Sequence, residues 1–203
     1  GATIAGAHGT ISQGSHFHRV GFNGNNIGFR LKGGGTQSFE KCTFRENTLQ
    51  GLYLDVNIGN SFKDCVLESN GGQGLYIDGP SKQSTFYSCY WEQNYFSIST
   101  EHNMHINSSI CEGLEFIGCI YGSTTTTKVA EVIAGSVYFK GCTNAGSVTS
   151  PIFTISSKAV VNLDDSFHSS AVPARGVVSI DGLHVDKNKA LEIISVGIVI
   201  ITP

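Results

Sequence analysis

Phe39-Glu40-Lys41-Cys42-Thr43-Phe44-Arg45-Glu46-Asn47 and Phe62-Lys63-Asp64-Cys65-Val66-Leu67-Glu68-Ser69-Asn70 follow one template, Phe-x-x-Cys-x-apolar-x-x-Asn, 23 positions apart. Phe86-Tyr87-Ser88-Cys89-Tyr90-Trp91-Glu92-Gln93-Asn94 is a third copy, and Phe17 to Asn25 a weaker fourth. Cys42 to Cys65 is 23 residues, Cys65 to Cys89 is 24, and Cys119 to Cys142 is again 23. The step of 30 from Cys89 to Cys119 reads as one coil carrying an insertion. Phe116 and Phe139 keep the same lead over their cysteines, and the frame returns at Ile180, Leu183, Val185 and Asn188.

A second segment follows each template: Gly28-Phe29-Arg30-Leu31, Gly51-Leu52-Tyr53-Leu54 and Gly74-Leu75-Tyr76-Ile77. Its apolar and polar residues alternate, the period of a strand with one buried face. No stretch has helical periodicity. A short repeat of strands and turns cannot bury its apolar side alone, so successive repeats must stack. Parallel crossovers within one sheet are right-handed. The fold class is therefore all-β: a right-handed, single-stranded parallel β-helix of about 23 residues per coil. Leucine-rich repeats have a similar period, but their signature is absent.

In that frame Cys42, Cys65, Cys89, Cys119 and Cys142 form one inward column of small apolar groups. Side chains in register point the same way, which suits an S–S dihedral poorly, so free thiols are expected. Asn25, Asn47, Asn70 and Asn94 fall where the chain turns. There Asn tolerates left-handed backbone and can bond the next Asn in the stack. Trp91 takes the inward position of Phe44 and Leu67.

Of the 203 residues 14% are charged, and the formal net charge is −3. Lys and Arg form no run, which argues against a nucleic-acid partner. No apolar segment reaches the roughly 18 residues of a membrane span, so no membrane insertion is expected. The N-terminus has no secretory-leader pattern.

These motifs resemble the pectate-lyase-like right-handed parallel β-helix group, and within it the bacteriophage tailspikes and capsule depolymerases. The resemblance covers residues 15–160 clearly and the rest faintly. It implies a homotrimer on a virion tail, assembled in the host cytoplasm, that recognises and in some cases depolymerises bacterial surface polysaccharide, whether capsule or O-antigen. Free cysteines fit assembly in a reducing cytosol. Two departures stand out. The galacturonase-type motifs are missing apart from Asp164-Asp165, and no amphipathic capping helix is visible. Residues 1–160 are read as coils. Residues 161–203 are read as final coils plus an apolar strand region for capping or trimerisation, in what is expected to be a fragment of a longer spike. Ile193 to Ile201 is the apolar strand that three chains would bury.

Alternation places Tyr53, Asp55, Tyr76 and Asp78 outside. Lys32, Asp55 and Asp78, spaced by 23, form one exposed column, with Glu101 nearby. Aligning Phe96 and Ile98 with Leu75 and Ile77 puts Ser99 on the next rung. Arg45, Glu68 and Glu92 form a second column. Stacked carboxylates repel, which favours a protonated general acid beside an ionised partner. Glycosidases use pairs about 5–5.5 Å or about 6.5–9.5 Å apart. Asp55, Asp78, Glu68 and Glu92 are thus the candidate catalytic carboxylates, with Tyr53, Tyr76, Lys32, Arg45 and Glu101 as candidate substrate-binding residues. The competing readings are solvated faces neutralised by Lys32 and Arg45, a subunit interface, or a calcium site. No cofactor and no metal is expected, since His16 with His18, and His102 with His105 in a loop, lack an evident third ligand. Two rival functions stand beside glycan recognition: a non-catalytic structural or adhesive fibre element, and a calcium-dependent monomeric polysaccharide lyase.

Overall fold

A computed structural model describes residues 14–33, 35–94, 102–108, 111–122, 128–145, 153–164, 177–180, 183–186 and 198–202. It is a parallel β-solenoid with no helix among the described residues. None is therefore long and apolar enough to cross a membrane. One arm of the largest sheet stacks His16–His18, Ser38–Glu40, Ser61–Lys63, Thr85–Tyr87 and Leu114–Ile117. The other arm stacks Phe29–Leu31, Leu52–Leu54, Leu75–Ile77 and His102–Asn107, and the long strand Lys128–Lys140 pairs with both arms. A five-stranded sheet stacks Thr43–Arg45, Val66–Glu68, Tyr90–Glu92, Ile120–Gly122 and Thr143–Asn144. Every ladder in these stacks is parallel, with Phe39 opposite Phe62 and Leu52 opposite Leu75.

The core follows from this register. Phe17, Phe39, Phe62, Phe86, Phe116 and Phe139 form a continuous ring stack, with neighbouring centroids 4.8, 4.8, 4.5, 4.9 and 4.9 Å apart. That spacing matches the strand separation of about 4.7–4.9 Å, so the rings stack without leaving their rungs. Trp91 is fully buried, as its template position requires. All six cysteines are free and buried. Each column thiol donates to a Phe carbonyl one coil back, Cys42 to Phe17 O at 3.4 Å and Cys142 to Phe116 O at 3.2 Å. Burial pushes the Cys89 and Cys111 thiols up, Cys111 to about 12, so they stay protonated.

The asparagine ladder forms and runs one step further than the template. Asn47 Nδ2 donates to Asn70 Oδ1 (2.8 Å), Asn70 Nδ2 to Asn94 Oδ1 (2.7 Å), and Asn94 Nδ2 to Asn103 Oδ1 (2.8 Å). Glycines stand beside it because there is no room for more: a Cβ on Gly51 would lie 2.8 Å from Asn70 Nδ2.

The left-handed residue at this corner, however, is the one before each Asn. Gly24, Glu46, Ser69 and Gln93 have φ of 70, 56, 55 and 48°. The Asn side chain is occupied in the ladder, so its neighbour takes the turn. A second left-handed column stands one residue before Val20 and the column cysteines, at Arg19, Lys41, Asp64, Ser88, Gly118 and Gly141. Left-handed backbone costs a non-glycine residue about 1–2 kcal/mol, while glycine loses roughly 0.5–1 kcal/mol more chain entropy on folding. Ser88→Gly is therefore expected to raise stability by about 0.5 kcal/mol, read as a higher urea midpoint at unchanged slope. A lower midpoint would mean that the backbone there is unstrained.

Two further sequence expectations are corrected. His102 and His105 lie on the strand His102–Asn107, not in a loop. The frame at Ile180 to Val185 does not form a full further coil: Val177–Ile180 still pairs parallel with Phe153–Asp164, but Leu183–Asp186 pairs antiparallel with Val177–Ile180, as a short connection between adjacent strands allows. Within the apolar C-terminal stretch, Ile198–Thr202 pairs parallel with Phe153–Asp164, so this chain already hydrogen-bonds one edge of that strand. Residues 193–197 lie outside the described residues.

Candidate functional site

Register, rather than sequence spacing, assembles the most elaborate outward surface. Arg30, Tyr53, Tyr76, His105, Glu131 and Thr154 are direct partners on six successive rungs. The Arg30 guanidinium lies 4.5 Å over the Tyr53 ring. Tyr53 meets Tyr76 edge to face at 5.1 Å, and Tyr76 stacks on His105 at 4.7 Å and 6°. His105 Nδ1 is 2.7 Å from Glu131 Oε2. Partial burial pushes both phenols above their ordinary range, so Tyr53 and Tyr76 remain neutral hydroxyls. One face of Tyr53 is covered by Arg30 and one face of Tyr76 by His105. The strip therefore offers ring edges and polar tips along the solenoid axis.

Beside it runs the predicted carboxylate column. Asp55 and Asp78 follow the paired residues Leu54 and Ile77, so they do stack. Asp55 is neutralised by Arg30 at 3.0 Å, two residues before the predicted partner Lys32, which is exposed on the same column. The next rung is Asn107, not Ser99: Ile106 pairs with Ile77, and Asn107 Nδ2 donates to Asp78 Oδ1 at 3.4 Å. Ser99 and Glu101 lie outside the described residues, as does Tyr95. The sequence alignment slipped because the enlarged coil places its extra residues before this strand: Leu75 to Met104 is 29 positions.

Arg45, Glu68 and Glu92 stack in register on the five-stranded sheet, with Arg45 Nε 3.4 Å from Glu68 Oε1. Tyr90 donates its hydroxyl to Glu92 Oε2 at 2.8 Å, and partial burial together with that carboxylate pushes the phenol up to about 12. The two carboxylate columns do not share a groove. Glu68 and Glu92 belong to the five-stranded sheet, Asp55 and Asp78 to the tyrosine arm, and the asparagine corner separates them. One carboxylate of each column is paired with an arginine, Asp55 with Arg30 and Glu68 with Arg45.

Sequence reasoning found Tyr53, Tyr76, Asp55 and Asp78 and missed Arg30, His105, Asn107 and Glu131. Arg30 was findable, standing 23 residues before Tyr53 on the same alternating face. His105, Asn107 and Glu131 were hidden by the insertion.

Stacked parallel rungs with an outward polar ladder define the class of molecule: a parallel β-helix. The chain belongs to the right-handed β-helix family, whose model, described as "Right handed beta helix region", matches residues 2–201. Comparison with curated proteins and with solved structures found no match.

Proposed function

We propose that this chain binds a linear polysaccharide along the Arg30–Tyr53–Tyr76–His105–Glu131 strip. The fold is compatible with polysaccharide-binding or polysaccharide-degrading proteins. The observation that carries the reading is the ladder itself: hydrogen-bonding groups repeat at every rung beside the Asp55–Asp78 column. A surface periodic along one axis suits a polymer of repeating units. Its mixture of phenols, imidazole, guanidinium and carboxylates offers donors and acceptors to sugar hydroxyls. Arg30 at one end and Glu131 at the other give no single-sign field for a strongly charged polymer.

In the finer form of this proposal the polymer is a bacterial capsule or O-antigen and the chain is a segment of a trimeric phage tailspike. The motif resemblance and the free thiols support that form. A non-catalytic fibre element is the second reading, favoured by the arginines that pair with Asp55 and Glu68.

Titration of the folded chain with capsular and O-antigen polysaccharides tests the proposal. Tyr76→Ala is expected to weaken binding about tenfold, the effect of losing a central contact of about 1.4 kcal/mol. Its outward side chain leaves the core intact. Unchanged affinity in both Tyr53→Ala and Tyr76→Ala would place the polymer elsewhere. Release of new reducing ends, lost in Asp78→Asn or Glu92→Gln with binding retained, would mark an enzyme and identify the column responsible. Binding without new reducing ends would mark a receptor-binding module.

A further inference from the structure

On the other arm, away from the tyrosine strip, three ligating side chains converge where the sequence shows only two. His16 and His18 alternate outward around Phe17 on the strand His16–His18. The parallel pairing of that strand with Ser38–Glu40 sets Glu40 directly opposite His18, one coil on. One ligating atom from each of the three lies within 4.8 Å of the others. We propose that His16, His18 and Glu40 form a binding site for a divalent transition metal of the zinc class.

Three features support this assignment. Imidazole nitrogen and carboxylate oxygen are the donor set that zinc takes in open sites with three protein ligands. Donors about 2.0–2.1 Å from a tetrahedral ion lie about 3.3–3.4 Å from one another. His18 Nδ1 and Glu40 Oε2 already stand 3.3 Å apart. The His16 and His18 rings are 6.1 Å apart at 23° to each other, and His16 is exposed, so rotation about its side-chain bonds can bring its nitrogen in. The fourth tetrahedral position would be left to water.

Nearby cations set the limits of the site. Lys41 Nζ reaches Glu40 Oε1 at 4.0 Å, and Lys63 stands opposite Glu40 on the following rung. Lys41 occupies the carboxylate oxygen that His18 does not use, so the metal-facing oxygen stays available. Both lysines weaken cation binding relative to a closed structural site. A metal held here ties the first two described rungs together, where the stack has a described neighbour on only one side.

The test uses the full chain freed of metal with a chelator, then titrated with zinc(II) and with cobalt(II). Expected results are one equivalent bound per chain, a higher melting temperature with zinc, and a cobalt spectrum lacking thiolate-to-metal absorption. Even outer-shell changes cost metal sites about 10–100-fold in affinity. His18→Ala and Glu40→Gln should therefore each weaken binding at least about tenfold. The double change His16→Ala/His18→Ala should abolish both binding and the thermal shift, while circular dichroism stays unchanged because all three side chains face outward. Absence of stoichiometric binding would overturn the proposal. So would binding that survives the double change, or thiolate absorption showing that the metal sits on cysteines.

Discussion

Asn70→Ala is expected to lower the unfolding free energy by about 3–5 kcal/mol, among the largest effects of any single change in this chain. Asn70 is fully buried. Its Nδ2 donates to Phe44 O (3.0 Å) and to Asn94 Oδ1 (2.7 Å). Its Oδ1 accepts from Asn47 N (3.2 Å) and Asn47 Nδ2 (2.8 Å). Truncation therefore breaks bonds to four polar atoms on the two neighbouring rungs at once, and a buried polar atom left without its bond costs roughly 1–3 kcal/mol. Local relaxation and entering water recover part of that sum. Urea titration followed by circular dichroism reads the effect. Asn70→Asp keeps the shape and the acceptor but removes the donor and buries a charge, so it should be at least as damaging at neutral pH. A loss below about 1 kcal/mol for the alanine change would show that the ladder fills space without holding the corner.

Phe62→Ala should destabilise by about 3–5 kcal/mol through the cavity it opens. Phe62 is fully buried between Phe39 at 4.8 Å and Phe86 at 4.5 Å, within 9° and 6° of parallel. Both neighbours are fixed by strands on their own rungs, so neither ring can move in to fill the gap. Phe62→Leu, which keeps much of the volume, should cost less than half as much. Phe17→Ala is the internal comparison: Phe17 is only partly buried and has one stacked phenylalanine neighbour, so its loss should cost clearly less. Equal costs at Phe17 and Phe62 would mean that stability is not carried by nearest-neighbour stacking along the column.

Both predictions concern residues legible without coordinates. A phenylalanine, a cysteine and an asparagine returning at one interval can all be buried together only if copies of the interval lie on top of each other. The period therefore implied the solenoid, the free thiol column and the inward place of Trp91. The outward face was legible only where coil length stayed constant, at Tyr53 with Tyr76, Asp55 with Asp78, and Glu68 with Glu92. Which Asn neighbour takes the left-handed turn was not legible, because Glu46, Ser69 and Gln93 share no side-chain chemistry that marks the position.

Self-stacking of identical inward side chains is what the sequence by itself determined, since burying those groups admits one register. Tertiary structure alone decided which outward groups meet: Arg30 rather than Lys32 on Asp55, His105 and Glu131 continuing the tyrosine strip, and Glu40 completing the histidine pair. It also turned Val177–Ile180 and Leu183–Asp186 into an antiparallel pair where the frame implied another coil. The physical reason is common to all of these. Solvent-facing side chains are under no requirement to match their neighbours on the next rung, so their partners follow only from where the backbone ladders run after an insertion or a tight connection.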